Sequence, residues 1–297
     1  MRTRNGFTLI ELLVVIGIIA LLVSILLPAL NKARAHGKAI KCQVQVGGFN
    51  TGLHMYALDQ NNKFWYDGPL PDNSLGGHGV WFVRMREYYG EADEARYCPE
   101  APATQQSVVP TTTGGFHGST FQPYNMAGHA GNVDTPESRR LLGASLGLNH
   151  WITGAPTDKV VWGAPGPNAA TAHPRYWQGL SDGGAPTADI PMVGDCAWYM
   201  AEPSREFINT DFLNPGSGDN LFEYRWDEDI FRDNPPIGNT IWTMYFSRVL
   251  LPRHLGRANW AFMDGSAQRV ELSDLPGQKW HREYKPTFNV FIPWLID

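Results

Sequence analysis

Cysteine is scarce in this chain of 297 residues: Cys42, Cys98 and Cys196 are all there is. An odd set this small cannot build a disulfide scaffold; at most one intramolecular bridge forms and one thiol is left over. No CxxC pair or zinc-finger spacing occurs, and no Walker or Rossmann glycine pattern, so no local motif points to a metal or a nucleotide. An excess of positive charge is missing too. Twenty-four Lys and Arg face 29 Asp and Glu, a net charge of −5, which speaks against a general nucleic-acid footprint. No HExxH or HxH pair occurs; His117, His129, His150 and His173 are scattered, and chance placement accounts for each.

What the chain has in quantity is Gly (31), Pro (22) and Trp (11). Gly and Pro exceed their average combined usage of roughly 12%, which implies many turns. With the Trp content, this favours short strands, long loops and aromatic packing over a helical bundle. Hydrophobic residues at 43% and charged residues at 18% support a folded core and exclude global disorder. The length fits one large or two small domains.

Residues 7–30 read FTLIELLVVIGIIALLVSILLPAL, with Glu11 as the single charge. As a helix this run extends roughly 36 Å, enough for a bilayer core of about 30 Å. A buried helix of a soluble protein is disfavoured by so long an apolar run. A cleaved signal peptide is disfavoured because its apolar region is shorter and ends at a small-residue site. Flanking charge does not settle topology: Arg2 and Arg4 precede the run, while Lys32, Arg34, Lys38 and Lys41 follow it, and counting alone keeps the C-terminal side inside. Glu11 is costly in lipid and calls for a partner or a reason. No Lys or Arg lies one turn away in sequence.

The stretch RNGFTLIELLVVIGIIALL resembles the N-terminal signature of type IV pilins and the pseudopilins of type II secretion. In that family a short basic leader ends in Gly, the mature chain starts with Phe, and Glu stands at the fifth mature position. Every position from Gly6 to Glu11 matches. The resemblance implies cleavage between Gly6 and Phe7, N-methylation of Phe7, and pairing of Glu11 with that new amine on its own or a neighbouring subunit, which offsets the desolvation of both charges. The bland reading of Glu11 is snorkelling to the interface. Pro28 sits where such proteins often carry a kinking proline. The resemblance also implies a single-pass protein of the bacterial inner membrane, its head outside the cytoplasm, in a periplasmic or surface filament.

Residues 31–60 are read as an extension of this helix. Ile40, Val44, Gly47 or Gly48, Thr51, Met55 and Leu58 recur at steps of three or four, and the two glycines weaken the helix while allowing close packing or a kink. His54 is expected to be a partly exposed helix residue. The division is therefore a leader (1–6), a transmembrane helix (7–30), its extension (31–60) and a globular head (61–297). Within the head, 61–77 is turn-rich, 80–90 reads as a short amphipathic helix, and 101–188 as a loop-rich excursion with short strands such as 159–164. DIPMVGDCAWYM (189–200) reads as a core strand containing Cys196, and 239–252 is ambiguous between strand and helix. ARYCPEAP carries a Cys-Pro placed as in the same family; if one disulfide forms outside the cytoplasm, Cys42 with Cys98 is the first pair to consider.

HLGRANWAFMDG (254–265) places His254, nine residues, then Asp264-Gly265. Apolar segments on both sides of Asp-Gly signal a hairpin, spanning 254–272 with its approach. This resembles the C-terminal H-x9-DG element of pilin-like proteins. As a metal site it is weak. Six extended residues cover about 20 Å, which sets His254 near the open end and Asp264 at the tip. His254 would need another carboxylate, Asp195 first, and two ligands are fewer than most sites require. No metal or cofactor is expected; His254, Asp264 and Asp195 are the candidates if one exists.

The expected fold is α+β and pilin-like, a long N-terminal helix packed on an antiparallel-sheet head with long loops. The expected function is a non-enzymatic subunit with these partners: prepilin peptidase/methyltransferase, other pilin or pseudopilin subunits, the inner-membrane assembly platform and membrane lipid. The alternative is a membrane-anchored surface or carbohydrate-binding module that uses its Trp residues for recognition.

Overall fold

The computed structural model describes residues 9–62, 81–90, 93–102, 123–125, 141–152, 177, 179–196, 200–201, 249, 253–282 and 284–286. Gly6, Phe7 and the leader lie outside them, as do 159–164, His117, His129, His173 and most of 239–252.

Helix α1 runs unbroken from Leu9 to Asp59, through Pro28. Its N-terminal part is long and apolar enough to cross a membrane, and none of its most apolar window is covered by the head. From Ala39 onward one face turns inward: Ala39, Cys42, Val46, Phe49, Asn50, Leu53 and Ala57 are buried. This spacing of three and four marks one helical stripe. It is not the stripe that apolar periodicity picks out. Ile40, Val44, Met55 and Leu58 are large, apolar and exposed, so the helix carries two apolar faces, and the head covers the one on which Ala39, Cys42, Gly52 and Ala57 alternate with Val46, Phe49 and Leu53. Gly52 shows why: an added Cβ there would lie 3.3 Å from Tyr88 Cβ and its carbonyl. A Cβ added at Gly47 would lie 3.4 Å from Ala267 Cβ, whereas one added at Gly48 would meet nothing within 4 Å.

After the helix, α2 (Trp81–Arg84) passes directly into a 3₁₀ turn, Met85–Tyr88. A second 3₁₀ turn, Asp93–Arg96, leads to Cys98. Strands β1 (Tyr124–Asn125) and β2 (Gly143–Ala144) form a small antiparallel pair. Among the described residues the main sheet has five strands: β3 (Leu146–Asn149), β4 (Pro191–Asp195), β5 (Met200–Ala201), β6 (Arg257–Phe262) and β7 (Ala267–Glu271). Their spatial order is β5-β3-β4-β6-β7, antiparallel except for β3 with β5. This is an α+β architecture with a long N-terminal helix against a mainly antiparallel sheet.

The helix lies on β4, β6 and β7 and is tied to them by side chains. Gln43 Nε2 donates to Ala267 O (2.7 Å), Asn50 Nδ2 to Phe262 O (2.8 Å), and Asn259 Nδ2 to Ala39 O (3.2 Å). His54 is half-buried, its ring nitrogens 2.8 Å from Asn50 O and 3.0 Å from Met263 O. The core around this contact is aromatic: Phe49 packs edge-on against Trp81 (5.5 Å), and Trp260 against Trp280 (4.9 Å). Each large apolar side chain removed from water there contributes roughly 1.5–3 kcal/mol.

The β6–β7 connection is a tight hairpin. Gly265 N–H donates to Phe262 O (3.0 Å) and Phe262 N–H to Ser266 O (2.9 Å). Gly265 has φ +91°, the left-handed conformation that glycine adopts without a Cβ penalty. Asp264 is not in that region; its Oδ1 accepts from Ser266 N–H at 2.9 Å, so its contribution to the turn is a side-chain acceptor.

Candidate functional site

Four chain segments converge beneath helix α1. Cys42 comes from the buried face of the helix, and Cys98 from the segment after the Asp93–Arg96 turn. Asp195 ends strand β4, and His254 stands in the turn that leads into β6. All four are buried, and their donor atoms lie within 4.8 Å of one another, close enough to share one metal ion. Cys98 Sγ is 3.2 Å from His254 Nε2, which is 3.2 Å from Asp195 Oδ2; Cys42 Sγ is 3.6 Å from Asp195 Oδ1.

Each segment is held by its own backbone chemistry. Glu100 N–H donates to Cys98 Sγ at 3.5 Å and Ala101 N–H to Cys98 O at 2.8 Å, so the Cys-Pro-Glu turn wraps around the sulfur. Ser145, just before β3, receives the Cys98 N–H on its hydroxyl and the Cys196 N–H on its carbonyl. The His254 turn is shaped by Leu255 and Gly256, both at positive φ (58° and 78°), and is closed by His254 N–H to Arg257 O at 3.3 Å. Asp195 Oδ2 accepts the Asn259 backbone N–H at 2.7 Å, which fixes β4 to β6.

Arg253 completes the electrostatics. Its buried guanidinium lies 3.2 Å from Asp195 Oδ1 and donates to Ser145 O (2.6 Å) and Cys196 O (3.4 Å). Burial works against the charge on Asp195, but the His254 hydrogen bond and charge, Arg253 and the Asn259 amide outweigh it and hold the carboxyl at about 2. Burial lowers His254 as well, yet hydrogen bonds to Asp195 and Cys98 raise it to about 9. The two thiols are driven apart. Burial, the Cys98 hydrogen bond and the Asp195 charge push Cys42 well above the usual range. At Cys98, burial and Asp195 are outweighed by the hydrogen bonds from Cys42 and His254 and by Arg253, and the thiol falls to about 6.

The structure thus brings together His254, Asp195, Cys42 and Cys98, all named from the sequence, and leaves the metal candidate Asp264 elsewhere. Asp264 sits exposed at the hairpin tip. All three cysteines are buried and none is in a disulfide, so the Cys42–Cys98 bridge considered from the sequence is not formed here. Sequence reasoning did not assemble the group because its members are far apart along the chain: Cys42 and Asp195 by 153 positions, Cys98 and His254 by 156. Arg253 was missed outright, although an Arg-His pair ahead of a strand is visible in the sequence. Trp81, Trp151, Trp177, Trp260 and Trp280 are buried in the core; the other Trp residues lie outside the described ones.

A long uncovered apolar helix on a small antiparallel sheet is the form of a pilin-like protein, and sequence comparison agrees. The prokaryotic N-terminal methylation motif is matched over residues 1–27. The type IV wide pilus major component PilA4 of Thermus thermophilus is 40% identical over 62 residues, 21% of this chain and 47% of PilA4. The chain therefore spans about half the length of this curated relative. No solved structure matches it. The chain is thus similar to type IV pilins over its N-terminal methylation motif and the stretch aligned with PilA4.

Proposed function

We propose that the chain is a structural filament subunit. It is cleaved between Gly6 and Phe7 by a prepilin peptidase, methylated on Phe7, held in the inner membrane with its head outside the cytoplasm, and assembled into a type IV pilus or a type II secretion pseudopilus. One observation carries this reading: the apolar side chains of α1 continue uncovered from the span, where Leu9 is 80% and Leu22 62% exposed, along Ile40, Val44, Met55 and Leu58. Lipid accounts for covering the first part, and neighbouring helices of a filament for the second. Glu11, four residues beyond Phe7, is placed to accept the new amino terminus within the filament.

The test is co-expression of the full chain with a prepilin peptidase, followed by intact-mass and N-terminal analysis. The wild type is expected to begin at methylated Phe7, and Gly6→Ala to keep its leader. A Gly6→Ala chain processed like the wild type would sink the assignment. Electron microscopy of cells carrying a tagged copy then separates surface pili from periplasmic pseudopili.

A further inference from the structure

We propose that Cys42, Cys98, Asp195 and His254 form a closed, structural binding site for a single divalent metal ion, with Zn²⁺ the best match. The donor set carries the argument first. Two sulfurs, one imidazole nitrogen and one carboxylate oxygen are ligand types Zn²⁺ takes in four-coordinate sites. Geometry comes second. Zn–S near 2.3 Å and Zn–N or Zn–O near 2.0–2.2 Å place neighbouring donors of a tetrahedron about 3.3–3.8 Å apart. The observed separations, 3.2 Å for Cys98 to His254, 3.2 Å for His254 to Asp195 and 3.6 Å for Cys42 to Asp195, fall on or just below this range. The remaining donor pairs also lie within 4.8 Å of one another, so separations close by at most about 1 Å as the donors surround an ion.

Charge comes third. Two thiolates and a carboxylate bring three negative charges into a site with no exposure. A divalent cation and the adjoining Arg253 guanidinium, 3.2 Å from Asp195, balance them. Binding needs both sulfurs as thiolates and His254 as a neutral imidazole, so two protons, one from the Cys42 thiol and one from the hydrogen-bonded Cys98–His254 pair, pass to solvent as the metal–ligand bonds form, with no change of oxidation state. The surroundings are also built for ligation. The Glu100 N–H points at Cys98 Sγ and the Asn259 N–H at Asp195 Oδ2, contacts that orient ligands from outside the coordination sphere. With four protein donors and no solvent access, the site leaves no open position for a substrate, so its role is structural. It joins helix α1, the Cys98 turn, β4 and the approach to β6, which pins the anchor helix to the head. This inference stands whether or not the chain forms filaments.

The experiment uses the full chain with a non-histidine tag, purified in detergent without chelator. Elemental analysis and native mass spectrometry are expected to find one zinc per chain. Cys42→Ser, Cys98→Ser and His254→Ala should each lose it, and Cys196→Ser, a buried cysteine outside the donor set, should keep it. Because a ligand variant can fail to fold, the wild type is also refolded with Co²⁺. Intense visible d–d bands with a thiolate charge-transfer band are the expected tetrahedral signature. A metal-free wild type that gives no such spectrum overturns the proposal, whether its thiols are free or its mass is lower by two hydrogens and restored by reductant, the sign of a Cys42–Cys98 disulfide. Metal retained in both Cys42→Ser and His254→Ala overturns it equally.

Discussion

Replacing Gly194 by alanine adds one methyl group at the point where β4 lies against β6. The new Cβ would stand 2.4 Å from Trp260 Cδ2 and 2.5 Å from the Asn259 carbonyl oxygen, both well inside contact distance. Neither neighbour yields readily. The carbonyl belongs to the backbone of β6, and Trp260 is fully buried and packed 4.9 Å from Trp280. Overpacking of this kind costs about 1–3 kcal/mol, and the backbone clash puts Gly194→Ala near the upper end. At roughly 2–4 °C per kcal/mol for a domain of this size, Tm should fall by about 6–12 °C. Gly48→Ala is the matched control. Nothing lies within 4 Å of its added Cβ, so the alanine gains helix propensity of about 1 kcal/mol and Tm should rise by about 2–4 °C. Thermal unfolding of the full chain in detergent, followed by near-ultraviolet circular dichroism of the buried Trp residues, reads both. An unchanged or raised Tm in Gly194→Ala would refute the packing of β4 on Trp260.

Asp195→Asn removes the carboxylate charge 3.2 Å from the buried Arg253, a loss of about 3–5 kcal/mol; a urea midpoint equal to that of wild type would contradict the pairing. In metal-free protein the carboxyl of Asp195 is depressed to about 2 when folded, below its unfolded value. Its contribution is therefore fully present above about pH 4 and lost as pH falls toward 2; equilibrium unfolding across this window should show wild type losing stability more steeply than Asp195→Asn. Glu11→Ala should be cleaved and methylated normally yet give few filaments, and filament counts by electron microscopy equal to wild type would rule out its pairing with the amino terminus.

The parts of the fold visible in the sequence are those whose signal is local. The apolar run announces the exposed half of α1, Asp264-Gly265 between apolar segments marks the hairpin, and the core strand read within 189–200 appears as β4. The inward face of α1 was not readable from periodicity. Ile40, Val44, Met55 and Leu58 make the stronger apolar stripe, but the head chose the neighbouring face, where Ala39, Cys42, Gly52 and Ala57 are small enough for close approach. A pattern of hydrophobicity cannot tell a face covered by its own chain from one left for another molecule. The cluster around Asp195 was hidden for a related reason: a carboxylate in the strand PMVGD looks like an exposed strand end until Arg253, His254 and Cys98 arrive from distant segments.

The ties between helix and sheet also have a mechanical meaning. Going down α1 from Ala39 through Asn50 to His54, their partners advance along the sheet from Asn259 to Phe262 and Met263, so β6 runs alongside the helix in the same direction. Tension applied along the helix axis therefore loads these bonds together in shear and does not peel them one at a time. The helix is about 76 Å long at 1.5 Å per residue over its 51 residues, and the head grips only about its last two-fifths, from Ala39 onward. A pull delivered at the far end reaches the sheet as a distributed load, while a sideways force at the same point acts on a long lever arm and concentrates at Ala39.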